Sequence, residues 1–266
     1  MRQIAWLTDL HFNFLDIVQL AKFIDYVAAK RPDAVLISGD IGEARSVVRY
    51  LEQIAVAWPM PIYFVLGNHD YYFGSIREVR EQVVELCRQF SNLHWLGASE
   101  VAELAPRTAL VGHDGWADAR LGDYERSTVM MNDYKLIAEL AQHTKQARWP
   151  LLQALGDEAA DHVRRVLPLA LARYPHVVLL THVPPFREAC VHEGQVSNDE
   201  WLPHFSCRAV GEAILEVMRK YPDRRVTVLC GHTHGVGVTR PADNVIVYTG
   251  GATYGEPEIQ RIFEWE

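Results

Sequence analysis

The chain has 266 residues, 49% of them hydrophobic, with a formal net charge of −8, which is enough apolar chain for a large core in one α/β domain. The acidic balance argues against a broad nucleic-acid-binding surface, and no apolar run approaches the length of a membrane span. Cys87, Cys190, Cys207 and Cys230 show no C-x-x-C spacing, and the start MRQIAWLTDLH reaches charge too soon for a signal peptide, so a reducing, cytoplasmic setting is expected.

Residues 3–8 read as a first strand. From Asp16 to Lys30, residues Ile17, Leu20, Phe23, Ile24, Val27 and Ala28 recur at helical spacing, and Pro32 closes the helix. Ala34–Ser38 is the next strand. Residues 45–57 form a second helix ended by Pro59 and Pro61, and 62–66 a third strand. Gly74–Ser75 opens a third helix with Ile76, Val79, Val83 and Leu86 on one face. This alternation implies β-α units on a parallel sheet. Leu93–Leu96 and Thr108–Val111 are short strands, and residues 113–131 show no clean period. Helices are predicted over 132–142, 144–155 and 157–173, with Trp149–Pro150 breaking or kinking the second. Val177–Thr181 is a strand, 183–207 a long loop of the kind that usually carries function, and 208–221 a helix. Strands at 225–230, 244–249 and 259–264 finish the chain. The similar logic of the two halves suits two sheets packed face to face.

Five apolar runs end in Asp, His or Asn: WLTDLH (6–11), VLISGD (35–40), IYFVLGNHD (62–70), VLLTH (178–182) and VLCGHTH (228–234). In open α/β sheets, ligands bind outside the carboxyl ends of the strands. Asp9 with His11, and His232 with His234, are i, i+2 pairs that point the same way on a strand. Gly231 and Gly235 permit a tight turn around the second pair. Singly, each has a plain structural reading: a surface acid, a turn asparagine, a core histidine. Together Asp9, His11, Asp40, Asn68, His182, His232 and His234 make a nitrogen and oxygen donor set with no thiolate, suited to Zn, Fe, Mn or Ni. The set is too large for one four-coordinate ion and suits two. Asp40, central in strand order, is the natural bridge, because a carboxylate offers one oxygen to each of two ions.

The ordered motifs Asp9-x-His11, Gly39-Asp40-x-x-Glu43, Gly67-Asn68-His69-Asp70, Thr181-His182 and Gly231-His232-Thr233-His234 closely resemble those of the calcineurin-like metallophosphoesterases, over residues 9–234. The resemblance implies an α/β four-layer sandwich: two mixed β-sheets flanked by α-helices. It implies one domain over 1–266, with loops 113–131 and 183–207 shaping the pocket. The implied activity is hydrolysis of a phosphoester, a small phosphodiester or phosphomonoester, by a hydroxide bridging two divalent ions, with Mn or Fe favoured. By that pattern Asp9, His11, Asp40 and His234 would hold the first ion, and Asp40, Asn68, His182 and His232 the second. His69 would face the phosphoryl group as a donor or general acid, Asp70 would orient the His69 ring, and Glu43 would be structural or lie behind the ligands. Metal-free scaffolds share the fold, so a non-catalytic interaction module is the competing reading. Retention of all the proposed ligands together with His69 argues against it.

The rest of the pocket rests on position alone. Trp116 and Arg120 follow the apolar run 108–112 and are expected on the same rim, Arg120 as a partner for a phosphate or carboxylate. Phe186, after Pro184–Pro185, is expected as an apolar wall. His192 and His204 are candidate substrate contacts in the long loop, and Tyr254 a stacking platform. Each has a structural alternative: a surface ion pair for Arg120, a core position for Tyr254, plain loop residues for the histidines. The expected partner is a small-molecule phosphoester, neither nucleic acid nor membrane. A nuclease would show a basic, aromatic-lined strand path, whereas 183–207 holds Arg187 as its one strong base. Neither a G-x-S-x-G elbow nor a P-loop is present. An amidohydrolase would need a barrel of eight β-α units, which the weakly organised middle of the chain does not supply.

Overall fold

A computed structural model describes all 266 residues. In chain order the elements are β1 (Arg2–Leu7), α1 (Ile17–Ala29), β2 (Ala34–Ser38), α2 (Val47–Ala57), β3 (Ile62–Val65), α3 (Ile76–Gln89) and β4 (Leu93–Trp95), then β5 (Ala102–Ala105), β6 (Thr108–Gly112), α4 (Asp133–Leu136), α5 (Lys145–Arg173) and β7 (His176–Leu180). β8 (Val191–His192), β9 (Gln195–Val196), α6 (Leu202–Phe205), α7 (Arg208–Met218), β10 (Arg225–Cys230), β11 (Gly237–Ala242), β12 (Val245–Thr249) and β13 (Arg261–Trp265) complete it. One sheet has the order β13-β1-β2-β3-β4, the other β11-β12-β10-β7-β6-β5. Their central strands run parallel; β13, β11 and β5 are antiparallel edges. The fold is the expected pair of mixed sheets flanked by helices.

The strands read as unbroken apolar runs because both faces are covered. In β2, Ala34 and Leu36 turn into the space between the sheets, while Val35 and Ile37 meet the helices. In β7, Val178 and Leu180 face the other sheet, and Val177 and Leu179 face α5 and α7. The result is helix, sheet, sheet, helix. The flanking helices form for local reasons: Asp16 caps α1 in a reciprocal box with Gln19, and the helix buries Leu20, Phe23 and Val27. Ser75 caps α3, which buries Ile76, Val79, Val83 and Leu86.

The central part of the chain departs from the sequence expectation. The helices predicted over 144–155 and 157–173 are one 29-residue helix, α5. Pro150 lies within its first two turns, and Pro168 frees a carbonyl on Arg164, an exposed residue. Gly156 reads as a breaker but is a packing residue: a Cβ there would meet Asp118 Cβ at 2.5 Å, so the helix can cross the 113–131 segment only with glycine. The helix expected over 132–142 is a single turn, α4. β5, β11 and the β8–β9 hairpin carry too few large apolar residues to show a period, and the 183–207 loop is more ordered than its composition suggests.

Candidate metal centre

β1, β2 and β3 of one sheet and β7 and β10 of the other end side by side, and the five polar tips meet there. The ligand residues lie just beyond the strands, not on them: Asp9 and His11 follow Leu7, and His232 and His234 follow Cys230. Strand parity is therefore not what aligns each pair. Asp9 (φ 49°), His11 (42°), Asp40 (54°), His232 (72°) and His234 (59°) all adopt left-handed backbone. Such conformations cost energy for residues with a Cβ and gather at functional sites.

Three motif glycines make room for ligands from other strands. A Cβ on Gly67 would overlap the Asp40 carboxylate, and one on Gly231 the Asp9 carboxylate. A Cβ on Gly39 would stand 2.6 Å from His182 Nδ1. Close backbone approach is why these positions are glycine.

The donor atoms of Asp9, His11, Asp40 and His234 all lie within 4.8 Å of one another. His11 Nε2 faces His234 Nε2 at 3.1 Å and Asp40 Oδ2 at 3.8 Å. His234 Nε2 is 3.4 Å from Asp9 Oδ1. Asp9 is steadied by the Thr8 hydroxyl, which donates to it at 2.6 Å, and by the His232 backbone N–H.

A second group adjoins the first. Asn68 Oδ1 lies 3.0 Å from His182 Nε2 and 3.0 Å from His232 Nδ1. His182 Nδ1–H donates to the Ser38 carbonyl (2.8 Å), and His232 Nε2–H to the His204 carbonyl (2.9 Å). Those outer bonds select the neutral tautomers, leaving the inner nitrogens as lone pairs. Asn68 is fixed in the same sense, since its amide N–H groups donate to Asp133 Oδ1 (2.9 Å) and Tyr72 Oη (3.1 Å). Three atoms able to offer lone pairs thus converge on one point, an arrangement that a cation satisfies. Asp40 stands between the groups: Oδ1 is 3.4 Å from His182 Nε2, and Oδ2 faces His11.

Charge follows this geometry. Burial pushes Asp40 up, but His182 and His69 outweigh it and hold the carboxyl well below its ordinary range. Burial likewise opposes ionisation of Asp9, and the His234 hydrogen bond reverses it. His182 is pulled down by burial yet carried up to about 10 by Asp40, so with no cation bound a proton takes the cation's place on its inner nitrogen. His11, by contrast, is lowered to about 4, chiefly by burial. The two ionised carboxylates make this a cation site.

Asp70 does not orient the His69 ring. Its Oδ1 accepts from the N–H groups of Ile41 and Gly42, and its Oδ2 from Gly67. The carboxylate is turned inward to clamp the β2 and β3 tips together. Burial and the nearby Asp40 charge push it up to about 8 against those bonds. The His69 ring instead stacks on Tyr72, with centroids 4.2 Å apart, and its Nε2 lies 4.0 Å from Asp40 Oδ2. Glu43 accepts from Asn13, behind the His11 turn.

The remaining candidates separate. Trp116 is buried against Tyr71 in the core beneath the first sheet. Arg120 is held by Asp118 and Asp157. Phe186 is buried, packed beside Gly211 of α7. None of the three lines the cavity that His69, Tyr72 and Tyr254 help to wall, because the 113–120 segment turns back beneath α5 and the chain after Pro185 turns inward onto α7. His192 is exposed, with Nδ1 bonded to the Thr233 carbonyl. His204 is buried; its ring is bound by Ser127 and Tyr134, and its carbonyl supports His232. Tyr254 lies 4.6 Å from His11 and 5.2 Å from His234, ring to ring.

Sequence reasoning missed Asp133, which fixes Asn68, and placed Asp114 only on the rim after the 108–112 run, without its structural role. Asp114 Oδ1 accepts from Leu66 N–H and Trp95 Nε1–H, Oδ2 accepts from Tyr71 O–H, and the Asp114 carbonyl accepts from His182 N–H. It ties the β3 tip to the His182 turn. Asp133 sits in a stretch without period or motif, and the strand end before Asp114 does not show that its carboxylate turns inward to Leu66 and Trp95.

The sequence matches the family described as calcineurin-like phosphoesterase over residues 2–236. No curated protein matches it. Among solved structures, the fold is similar to phosphopantetheinyl hydrolase (PptH) from Mycobacterium tuberculosis, with TM-score 0.62 and 15% identity over 94% of this chain and 89% of that one. A dimetal phosphatase from Danio rerio gives TM-score 0.58 and 15% identity, covering 94% and 87%. TT1561 of Thermus thermophilus gives 0.56 and 14%, covering 94% and 89%. At these identities the likeness to each is one of fold. With the family match over most of its length and a buried Asp/His/Asp/His cluster able to coordinate metal on this fold, the chain belongs to the calcineurin-like phosphoesterases, metal-dependent hydrolases of phosphoesters.

Proposed function

We propose that the protein hydrolyses a small-molecule phosphoester at a centre of two divalent ions. The observation that carries this reading is Asp40: its two oxygens face different imidazoles, Oδ2 toward His11 and Oδ1 toward His182. Asp9, His11, Asp40 and His234 would hold one ion, and Asp40, Asn68, His182 and His232 the other. The mixed imidazole and oxygen set, free of thiolate, suits manganese, iron, zinc or nickel, and the family resemblance favours manganese or iron. The Danio rerio protein described as a dimetal phosphatase shares the fold, in keeping with two ions here. When bound, such a pair supplies Lewis acidity for the phosphoryl oxygens and acidifies a water toward neutral pH.

The chain's own residues do the rest. The Ser38 and His204 carbonyls hold His182 and His232 in the tautomers that aim a lone pair inward. Asp133 and Tyr72 keep the Asn68 oxygen, not its nitrogen, on the same side. Tyr72 stacks under His69 and presents its Nε2 beside Asp40. There the ring donates a hydrogen bond to charge gathering on the phosphoryl group or passes a proton to the leaving oxygen. We read residues 1–266 as one domain, with 113–131 and 183–207 shaping the approach to the centre. No helix is long and apolar enough to cross a membrane, and the four free thiols suit a reducing, cytoplasmic setting.

The test is a metal-supplemented hydrolysis panel with metal content measured in parallel. Wild type should gain activity with manganese or iron and bind two ions per chain, and His69→Asn should keep the metal and lose turnover. Full metal loading with no ester hydrolysed would overturn the reading.

A further inference from the structure

Beside the metal centre lies a cavity of about 460 Å³ whose wall includes His69, Tyr72 and Tyr254. Because His69 and Tyr254 also flank the metal cluster, the cavity adjoins it. Its far side comes from the two segments with no periodic pattern: Val129, Met130 and Met131 from one, Glu200 and Trp201 from the other.

Two properties decide what it takes. The first is unspent apolar surface. Met130 is 56% exposed, Tyr254 47% and Trp201 42%. Phe14, itself 52% exposed, packs on Tyr254 with centroids 4.6 Å apart and extends the apolar rim. Large apolar groups clustered in the open mark an interaction surface. The second is charge. No Lys or Arg lines the cavity. Its one carboxylate, Glu200, accepts from the Thr128 hydroxyl at 2.6 Å, which fixes it on the rim. An anionic group entering there would find no counter-charge of its own and would meet Glu200.

We infer that this cavity is a specificity subsite for an uncharged, apolar or aromatic ester arm, so that the substrate is a phosphodiester carrying such an arm and not a nucleoside polyphosphate or another polyanion. This rests on the phosphoesterase reading above and narrows it. Met130, Trp201 and Tyr254 receive the arm, and His69 stands where the arm joins the scissile phosphate. Glu200 discriminates against negative charge.

The experiment compares two symmetric diesters on the manganese-loaded protein, bis(4-nitrophenyl) phosphate and bis(4-carboxyphenyl) phosphate, so that whichever arm enters has the same charge. Wild type should favour the nitrophenyl ester in kcat/KM, in part because nitrophenolate is the better leaving group, so the decisive readout is how the ratio between the two esters moves in the variants. Met130→Lys supplies the missing cation; it should raise kcat/KM for the carboxyphenyl ester by roughly tenfold without raising that for the nitrophenyl ester. Trp201→Ala should raise KM for the nitrophenyl ester by roughly 5- to 20-fold, from lost apolar contact, with kcat little changed. Equal turnover of both diesters by wild type, a Met130→Lys variant that shifts both alike, or an unmoved KM in Trp201→Ala each overturns the subsite. Hydrolysis of neither diester, nor of any monoester, overturns the phosphoesterase reading itself, a separate result.

Discussion

Asp133 is a sharp handle on the centre because it touches no proposed ion. Its Oδ1 accepts from Asn68 Nδ2 at 2.9 Å and from Tyr72 O–H at 2.7 Å. Replacing it with alanine removes the acceptor that tells the Asn68 amide which way to face, and the flipped amide would turn its NH₂ toward the His182 and His232 lone pairs. Partners of this kind are worth about 10- to 100-fold in metal affinity, or about 1.4–2.8 kcal/mol. Asparagine at 133 keeps an acceptor oxygen in the same place and should stay within about threefold of wild type, since the hydrogen bond rather than the charge sets the orientation. Calorimetric titration of the metal-free protein with manganese reads both. Asp133→Ala should weaken one of two binding events and spare the other, the one assigned to Asp9, His11, Asp40 and His234. If the alanine variant binds both ions as wild type does, or the asparagine variant fails equally, the reasoning is wrong.

Other predictions are briefer. His69→Asn should retain both ions by elemental analysis while kcat drops about 10²- to 10³-fold, the usual size for a lost transition-state donor; a parallel loss of metal would assign His69 a structural role. Gly67→Ala should fold yet lose metal, because its Cβ claims the position of the Asp40 carboxylate; normal loading would contradict the packing argument. His162, His176 and His204 are each held at about 4, mainly by burial, with Arg165, Arg225 and Lys145 respectively among the charges that reinforce it. They are neutral in the fold, while the unfolded chain binds protons below about pH 6.5. Their contribution is present above that pH and lost as it falls toward 4, at most about 3 kcal/mol per group. Urea unfolding of the metal-free protein should show a clearly lower midpoint at about pH 4.5 than at about pH 7, and coincident midpoints would refute the assignment.

The sequence made the five strand tips legible because each couples an apolar run, buried on both faces, to a polar residue at its carboxyl end. Asp9, His11, Asp40 and His234 could be picked out on that ground, and the structure clusters them. The reason for their alignment was not legible. It lies in left-handed turns past the strands and in Gly39, Gly67 and Gly231, whose missing Cβ atoms matter only once the strands are assembled. Asp70 shows the same limit. It adjoins His69 in sequence, yet three backbone N–H groups from two strand tips capture its carboxylate. Trp116 and Arg120 follow a strand end just as the ligands do, but the chain there turns beneath α5, where Gly156 lets Asp118 approach. Tertiary contacts of this sort, between a periodless segment and a helix crossing over it, leave no trace in local spacing.

The most direct measurement is an anomalous-scattering map from a manganese-loaded crystal. Two peaks about 3.5–4 Å apart on either side of the Asp40 carboxylate are predicted, one within bonding distance of Asp9, His11 and His234, the other of Asn68, His182 and His232. A single peak, or metal that does not touch Asp40, would contradict the two-ion centre and the hydrolysis built on it.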